Sequence, residues 1–462
     1  MADETQPHET SLHDPADRAA SRGLRPGHAA AAGRILLDLT DVVILISAGG
    51  GIGGIIRVVV RLARHATAPD AQIPVTLAFY HPVRKTYLAI DPKLFADDSW
   101  TRPVDLRVAL GLIGVPVPFI GTRHFDEPVR RFWHIARRRL KNWRAARAER
   151  APAGGPASGW ALRPLDLAPG EKLRAAVLGM AWMVPKHIER LRALGADVEI
   201  VTLIHDLIPL TAGNEELPNP AFVHWFRHLV RQTTRFLAVS RYTADEVTRE
   251  VAAMGGHVAR IDVVPLAHEF AFDGTPDRSV VPEGEFVVTV GSLGHKRKNL
   301  DLLLEVWGLL AERLGPEALP ALVIAGAHGR QAARREAAIA RHPGLKDKVV
   351  LVDRPNDAKL AALYAACLFT VYPSRYEGWG LPVGEAAWFG KLSVCSNVTS
   401  IPEVMGPAAD YFDPADAEAM AKALEQPIRD RAYLRAREAE LAAMHLRSWA
   451  DVARTLVARL AQ

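Results

Sequence analysis

Short apolar, β-branched runs alternate with helical segments along this chain, in two successive series, and that alternation constrains the fold more than any other feature. In the first series RILLDLT (34–40), VTLAFYH (75–81), AAVLGM (175–180), VEIVTLIHD (198–206), RFLAVS (235–240) and IDVVPL (261–266) read as buried strands. Segments such as IIRVVVRLARHA and PAFVHWFRHLVRQTT carry the helical period between them. Continuous apolar strands joined through helices predict a parallel sheet covered on both faces. After a polar, Gly- and Pro-containing stretch at 267–285 the pattern restarts with EFVVTVG (285–291), ALVIAG (321–326), KVVLVD (348–353), LFTVYPS (368–374) and KLSVCSN (391–397). The expectation is an α/β chain of two Rossmann-like domains facing across a cleft, with ligands outside the carboxyl ends of the strands.

The 462 residues suit two such domains at roughly 100–200 residues each. The expected division is a disordered polar tail over 1–32, a first domain over 33–267, a hinge linker over 268–284 and a second domain over 285–440. A last helix over 441–462 is expected to pack back on the first domain. With 49% hydrophobic and 24% charged residues, a disordered chain, a collagen-like chain and a coiled-coil rod are excluded. The net charge of +5 is too small to imply nucleic acid by itself. Two cysteines, Cys367 and Cys395, cannot build a disulfide framework or a four-ligand zinc site, and both sit in apolar runs as small core residues. The tail has no apolar core for a signal peptide, and the uncharged stretch from Val42 to Ile56 is too short for a membrane span.

One segment departs from the pattern. Residues 128–150 carry Arg130, Arg131, Arg137, Arg138, Arg139, Lys141, Arg144, Arg147 and Arg150 against one acid, Glu149, with Phe132, Trp133, Leu140 and Trp143 interspersed. Together with the Gly- and Pro-rich stretch that follows, it reads as an insertion at about 128–160. Either it is a solvated basic helix, or it lies on anionic lipid headgroups with Trp at the boundary.

The chemistry concentrates in two places. In VYPSRYEGWGLPVGEAAWFGK (371–391) a strand ends in a turn made of Glu377, Gly378, Trp379, Gly380, Leu381 and Pro382, which enters a helix bearing Glu385. Glycines let a ligand approach the backbone, and a helix start offers unpaired N–H groups to a diphosphate. A carboxylate is a good acceptor for paired sugar hydroxyls. In VTVGSLGHKRKNLDLLLEVW (288–307) a strand ends at Gly291, and His295, Lys296, Arg297 and Lys298 precede a helix, a placement suited to phosphate.

These segments resemble the retaining glycosyltransferases of family 4, which have the GT-B fold. The carriers are Gly291-Ser292-Leu293 with Arg297-Lys298-Asn299-Leu300, then Tyr376 to Pro382 with Glu385-Ala386, then Gly390-Lys391 and SNVTSIPEVMGPAADYFDPAD (396–416). Upstream, TLIHDLIPL (202–210) and FLAVSRYTADEV (236–247) are similar to weaker family segments. The resemblance implies that Glu385 holds the donor ribose and that Glu377 binds hydroxyls of the donor sugar. Gly291 and Ser292 would line the donor site, and backbone amides at Gly378, Trp379, Gly380 and Leu381 would contact sugar and diphosphate. Arg297 and Lys298 would neutralise the leaving group in place of a metal, and His205 and Asp206 would lie near the reacting carbon. Many relatives carry Arg where Ser292 stands. The activity implied is transfer of a hexose, with GDP-mannose favoured as donor, to a saccharide or lipid-linked saccharide acceptor in surface polysaccharide assembly. No cofactor, metal or nucleic acid is expected. The location implied is the cytoplasm, with peripheral contact at the inner membrane.

The run AGGGIGGIIR (48–57) fits the dinucleotide fingerprint by letter, with VVILIS before it as a strand. That reading needs an acid at the end of the next strand, and Asp70 precedes that strand. The family resemblance instead makes Gly54 to Arg57 the entry to the first helix, brings Gly53 and Gly54 to the donor phosphate, and leaves VVILIS an irregular segment. His205 beside Asp206 at a strand end is either a satisfied structural pair or a functional one. The rivals are a non-catalytic nucleotide- or glycan-binding relative and another GT-B enzyme, such as a nucleotide-sugar epimerase or a phosphorylase.

Overall fold

The computed structural model describes residues 33–49, 53–71, 73–95, 98–112, 162–168, 170–195, 197–211, 218–291, 294–315, 317–327, 336, 339–340, 342–345 and 347–462. The basic segment 128–150, the tail 1–32 and Ser292 lie outside them.

The first series of apolar runs forms one eight-stranded sheet. Its strands are β1 (Arg34–Asp38), β2 (Val75–His81), β3 (Thr86–Ala89), β4 (Arg163–Pro164), β5 (Leu173–Val177), β6 (Val198–Ile204), β7 (Arg235–Ala238) and β8 (Arg260–Val263), in the order β4-β3-β2-β1-β5-β6-β7-β8. β1 pairs parallel with β2 on one side and β5 on the other, with Asp38 opposite Ala78 and Val177. The sheet is mixed rather than wholly parallel: β3 and β4 add on antiparallel at one edge. The turn from β2 into β3 is too short for a crossover helix and passes through Lys85 at φ 52°. The second series forms a wholly parallel sheet of β9 (Phe286–Val290), β10 (Ala321–Gly326), β11 (Val349–Asp353), β12 (Thr370–Tyr372), β13 (Ser393–Ser396) and β14 (Asp410–Phe412), in the order β11-β10-β9-β12-β13-β14.

VVILIS is neither strand nor irregular. It belongs to the helix Thr40–Ser47, every residue of which is buried. A segment apolar on all sides has no amphipathic period, so its pattern cannot separate helix from buried strand. Asp38 starts the turn, its Oδ1 accepting the backbone N–H of Thr40 at 2.9 Å. Asp38 is itself buried, and its Oδ2 meets His187 Nε2 at 2.6 Å and accepts Tyr87 Oη at 3.0 Å. These partners are what a buried carboxylate requires.

The core is not divided cleanly between the sheets. One buried cluster joins Leu37, Leu62, Leu203 and Leu266 of the first domain to Tyr372, Trp379, Val383 and Ile401 of the second, and to Trp449, Val452 and Leu456 of the last helix. That helix, Trp449–Ala461, opens with Ser448 and Asp451 capping each other's backbone N–H and packs against the helix Gly54–Ala66. The linker is anchored as well. Phe270 is buried among second-domain residues, and His268 Nε2 donates to the Val404 carbonyl at 3.0 Å while its Nδ1 accepts the Arg447 N–H at 2.8 Å. Cys367 and Cys395 are free and buried. Among the described residues no helix is long and apolar enough to cross a membrane.

Candidate active site

The segment after β12 turns toward the other domain. Gly378 packs against the end of β6 so closely that a Cβ there would lie 1.7 Å from the His205 carbonyl oxygen, which only glycine permits. Gly380 has φ 110° and forms the N-cap of the helix Leu381–Trp388, a conformation that disfavours any residue with a side chain. A seam of interdomain bonds surrounds this contact. Tyr376 Oη donates to Glu246, and the Glu403 carboxylate accepts the N–H groups of Arg241 and Tyr242 at 2.8 Å each.

Glu377 sits inside the seam. Its Oε1 is 2.6 Å from Lys298 Nζ, 2.7 Å from Arg297 Nη1 and 2.6 Å from the Ser374 hydroxyl, which donates to it. Burial raises the carboxyl, and the two cations more than offset that, leaving its pKa at about 2. Burial in turn lowers the Lys298 ammonium, with Glu377 opposing. Lys298 also donates to Tyr372 Oη at 2.9 Å and lies over Gly291, where a Cβ would come within 3.4 Å of its stem. Arg297 further donates to the Tyr376 carbonyl at 3.0 Å. The result is one carboxylate facing two cations in a low-dielectric site.

His205 and Asp206 stand opposite, at the carboxyl end of β6. His205 Nε2 donates to the Leu178 carbonyl at 2.7 Å, so its Nδ1 carries the lone pair. Burial pushes this ring down to about 4, so it is neutral at pH 7. Burial raises Asp206, and the charges of Arg297, Glu377 and Lys298 all act on it. The structure therefore brings His205, Asp206, Gly291, Arg297, Lys298, Glu377 and Gly378 to one junction. Trp379 is buried with the Arg447 guanidinium 5.6 Å from its ring centre, so its side chain belongs to the core.

Glu385 lies one turn into the helix Leu381–Trp388 and is separated from the Glu377 cluster. Its Oε2 accepts the Tyr364 hydroxyl at 3.0 Å. The helix Gly54–Ala66 begins beside this region. Gly53 is its N-cap, neither Gly53 nor Gly54 carries a Cβ, and a Cβ on Gly54 would lie 3.8 Å from Leu381. Two helices from different domains, each with a glycine N-cap and no side-chain cap, thus start near one another. Unpaired N–H groups and the positive dipole end at each start suit an anion. Arg57, Glu246, Glu403 and Tyr364 also line this junction. No local motif marks them, because each acts on a partner far away in the sequence.

Residues 276–442 match the family described as glycosyl transferases group 1, and the chain carries that domain. The serotype-specific mannosyltransferase WbdA of Escherichia coli is 29% identical over 266 residues, which is 55% of this chain and 32% of that protein. The GDP-mannose:cellobiosyl-diphosphopolyprenol alpha-mannosyltransferase of Komagataeibacter xylinus is 31% identical over 245 residues, 50% of this chain and 57% of the relative. The chain thus spans about a third of the length of WbdA, at 32%. Sucrose-phosphate synthase from Thermosynechococcus elongatus superposes with a TM-score of 0.56 at 16% identity, over 92% of this chain and 98% of that one. The two-sheet architecture is the GT-B fold.

Proposed function

We propose that this GT-B chain, with its glycosyl transferases group 1 domain, is a retaining, metal-independent hexosyltransferase of family 4. It takes mannose from GDP-mannose to a saccharide or lipid-linked saccharide acceptor in surface polysaccharide assembly. The observation that carries this reading is the junction itself. Arg297 and Lys298 meet Glu377 on the turn that leads into the uncapped helix Leu381–Trp388, and their charge reaches Asp206 at the end of β6, next to His205. That set suits a departing diphosphate better than it suits any neutral ligand.

In this reaction the bond from the sugar C1 to the diphosphate oxygen breaks while the acceptor oxygen bonds to C1 on the same face. The acceptor proton passes to the departing phosphate oxygen. Arg297 and Lys298 stabilise charge that grows on the diphosphate as the bond breaks. Glu377 accepts hydroxyls of the donor sugar, and Glu385 those of the ribose. The backbone at Gly53, Gly54, Gly291, Ser292, Gly378, Trp379, Gly380 and Leu381 lines the donor. The seam between the domains keeps water from the activated sugar. GDP-mannose is favoured because mannosyltransferases match the chain, one of them named for that donor. The domain division at 267 and 285, and peripheral membrane contact through the basic segment 128–150, belong to the same reading and rest on the sequence.

The test is incubation of the protein with GDP-mannose, UDP-glucose and NAD separately, with and without a mannoside acceptor. Release of GDP that the acceptor accelerates, with a product of unchanged anomeric configuration by NMR, is expected. Binding of NAD without binding of any nucleotide sugar would overturn the assignment.

A further inference from the structure

Arg57 is a partly exposed cation in the first turn of the helix Gly54–Ala66, and it reaches across to the other domain. Its Nη2 pairs with Asp357 Oδ1 at 2.5 Å, at the start of the helix Asp357–Ala366. Its guanidinium carbon lies 5.9 Å from the centre of the Phe270 ring. Phe270 packs edge-on to Tyr364 at 5.8 Å, and the Tyr364 hydroxyl donates to Glu385. One cation of the first domain is thereby tied by charge to Asp357, and through an aromatic pair to the residue that holds Glu385.

An ion pair this exposed is worth little as a stability contact. Its value lies in its position. Arg57, Asp357 and Tyr364 are the ionisable groups acting on the Glu385 carboxylate, and Arg57 is the cation among them. Burial raises the Glu385 carboxyl above the ordinary carboxylate range, and Arg57, with the Tyr364 hydroxyl, opposes that rise. Only an ionised carboxylate accepts two neighbouring hydroxyls at full strength.

We propose that Arg57 is a positioning residue for the donor nucleotide: from the domain opposite the nucleotide loop, it fixes the place and charge of the carboxylate that receives the ribose. Tight donor binding then requires the two domains to be together, because one support of the ribose carboxylate comes from across the junction. This inference rests on the reading of Glu385 as the ribose carboxylate.

The test is a double-mutant cycle on the full chain, with GDP as probe and affinity read by calorimetry. The variants are R57Q, R57K, E385A and R57Q/E385A, each first shown to melt like wild type. R57Q is expected to weaken GDP about ten-fold, and R57K to recover most of that loss. In the E385A background, R57Q should add less than about two-fold, since the carboxylate it acts on is gone. The inference is overturned if R57Q binds GDP as wild type does, or if it loses as much with Glu385 absent as with it present. If E385A alone leaves GDP affinity unchanged, the ribose reading fails instead, which separates the two failures.

Discussion

Glu377 Oε1 receives Lys298, Arg297 and Ser374 at hydrogen-bond distance, so a single oxygen organises both cations. Cations held this way are oriented before any negative charge develops beside them, which is when preorganisation lowers a barrier most. K298A should therefore lower kcat at saturating donor by about 10²–10³, with a smaller change in KM. Steady-state kinetics with varied donor checks this, and a rise confined to KM would reduce Lys298 to a uniform phosphate anchor. The sequence showed Lys298 and Glu377 as candidates because each sits in a recognisable strand–loop–helix segment. Their direct pairing was not legible, because the partners are 79 residues apart and meet only through the order of β9 and β12 in the sheet. Arg57 and Glu403 were hidden for the same reason, with partners 300 and 162 residues away.

At the scale of elements, the junction depends on how tightly the turn after β12 meets the end of β6. Adding one methyl at Gly378 puts a carbon 1.7 Å from the His205 carbonyl, well inside contact distance. G378A should leave each sheet folded but force the seam open, lowering turnover by about 10², because a misplacement of about 1 Å at a reacting site costs that much. Circular dichroism should match wild type while small-angle scattering shows a larger radius of gyration; wild-type turnover would mean the seam is dispensable. Most elements were legible. The parallel strands are continuous apolar runs, and helices such as Leu300–Leu314 carry a clear apolar face. What escaped was the helix Thr40–Ser47, buried on all sides, and the antiparallel edge of β3 and β4, which are only four and two residues long. The mixed edge depends on a tight turn at His81–Lys85, and nothing in the periodicity announces a change of direction there.

For the whole molecule, acid is the natural stress. His205 and His268 are both held at about 4 by burial, against an ordinary 6.5. Below pH 6.5 the unfolded chain takes up protons that the folded chain refuses, so both histidines withdraw stability as pH falls toward 4. Asp41 opposes them: burial, with Asp38 beside it, raises it to about 6, so the folded state gains its proton first. Taken by themselves, these three groups lose on the order of 2 kcal/mol between about pH 6.5 and about pH 5. Asp206, Glu246 and Glu385, raised by burial, act with Asp41, while His65 and His81, lowered by burial, act with the other two histidines. In urea unfolding across that range H268N should remove about one proton from the slope of stability against pH; a slope that H268N leaves unchanged would contradict the burial of that ring. A different consequence follows from the last helix, Trp449–Ala461, lying on Gly54–Ala66 within one core. A ribosome adding about 5–20 residues per second needs roughly 20–80 s to make the intervening chain. For that time the nascent first domain presents an apolar stripe with no cover. Its early life is therefore a matter for chaperones, and a stop codon shortly before Trp449 would leave the stripe bare for good.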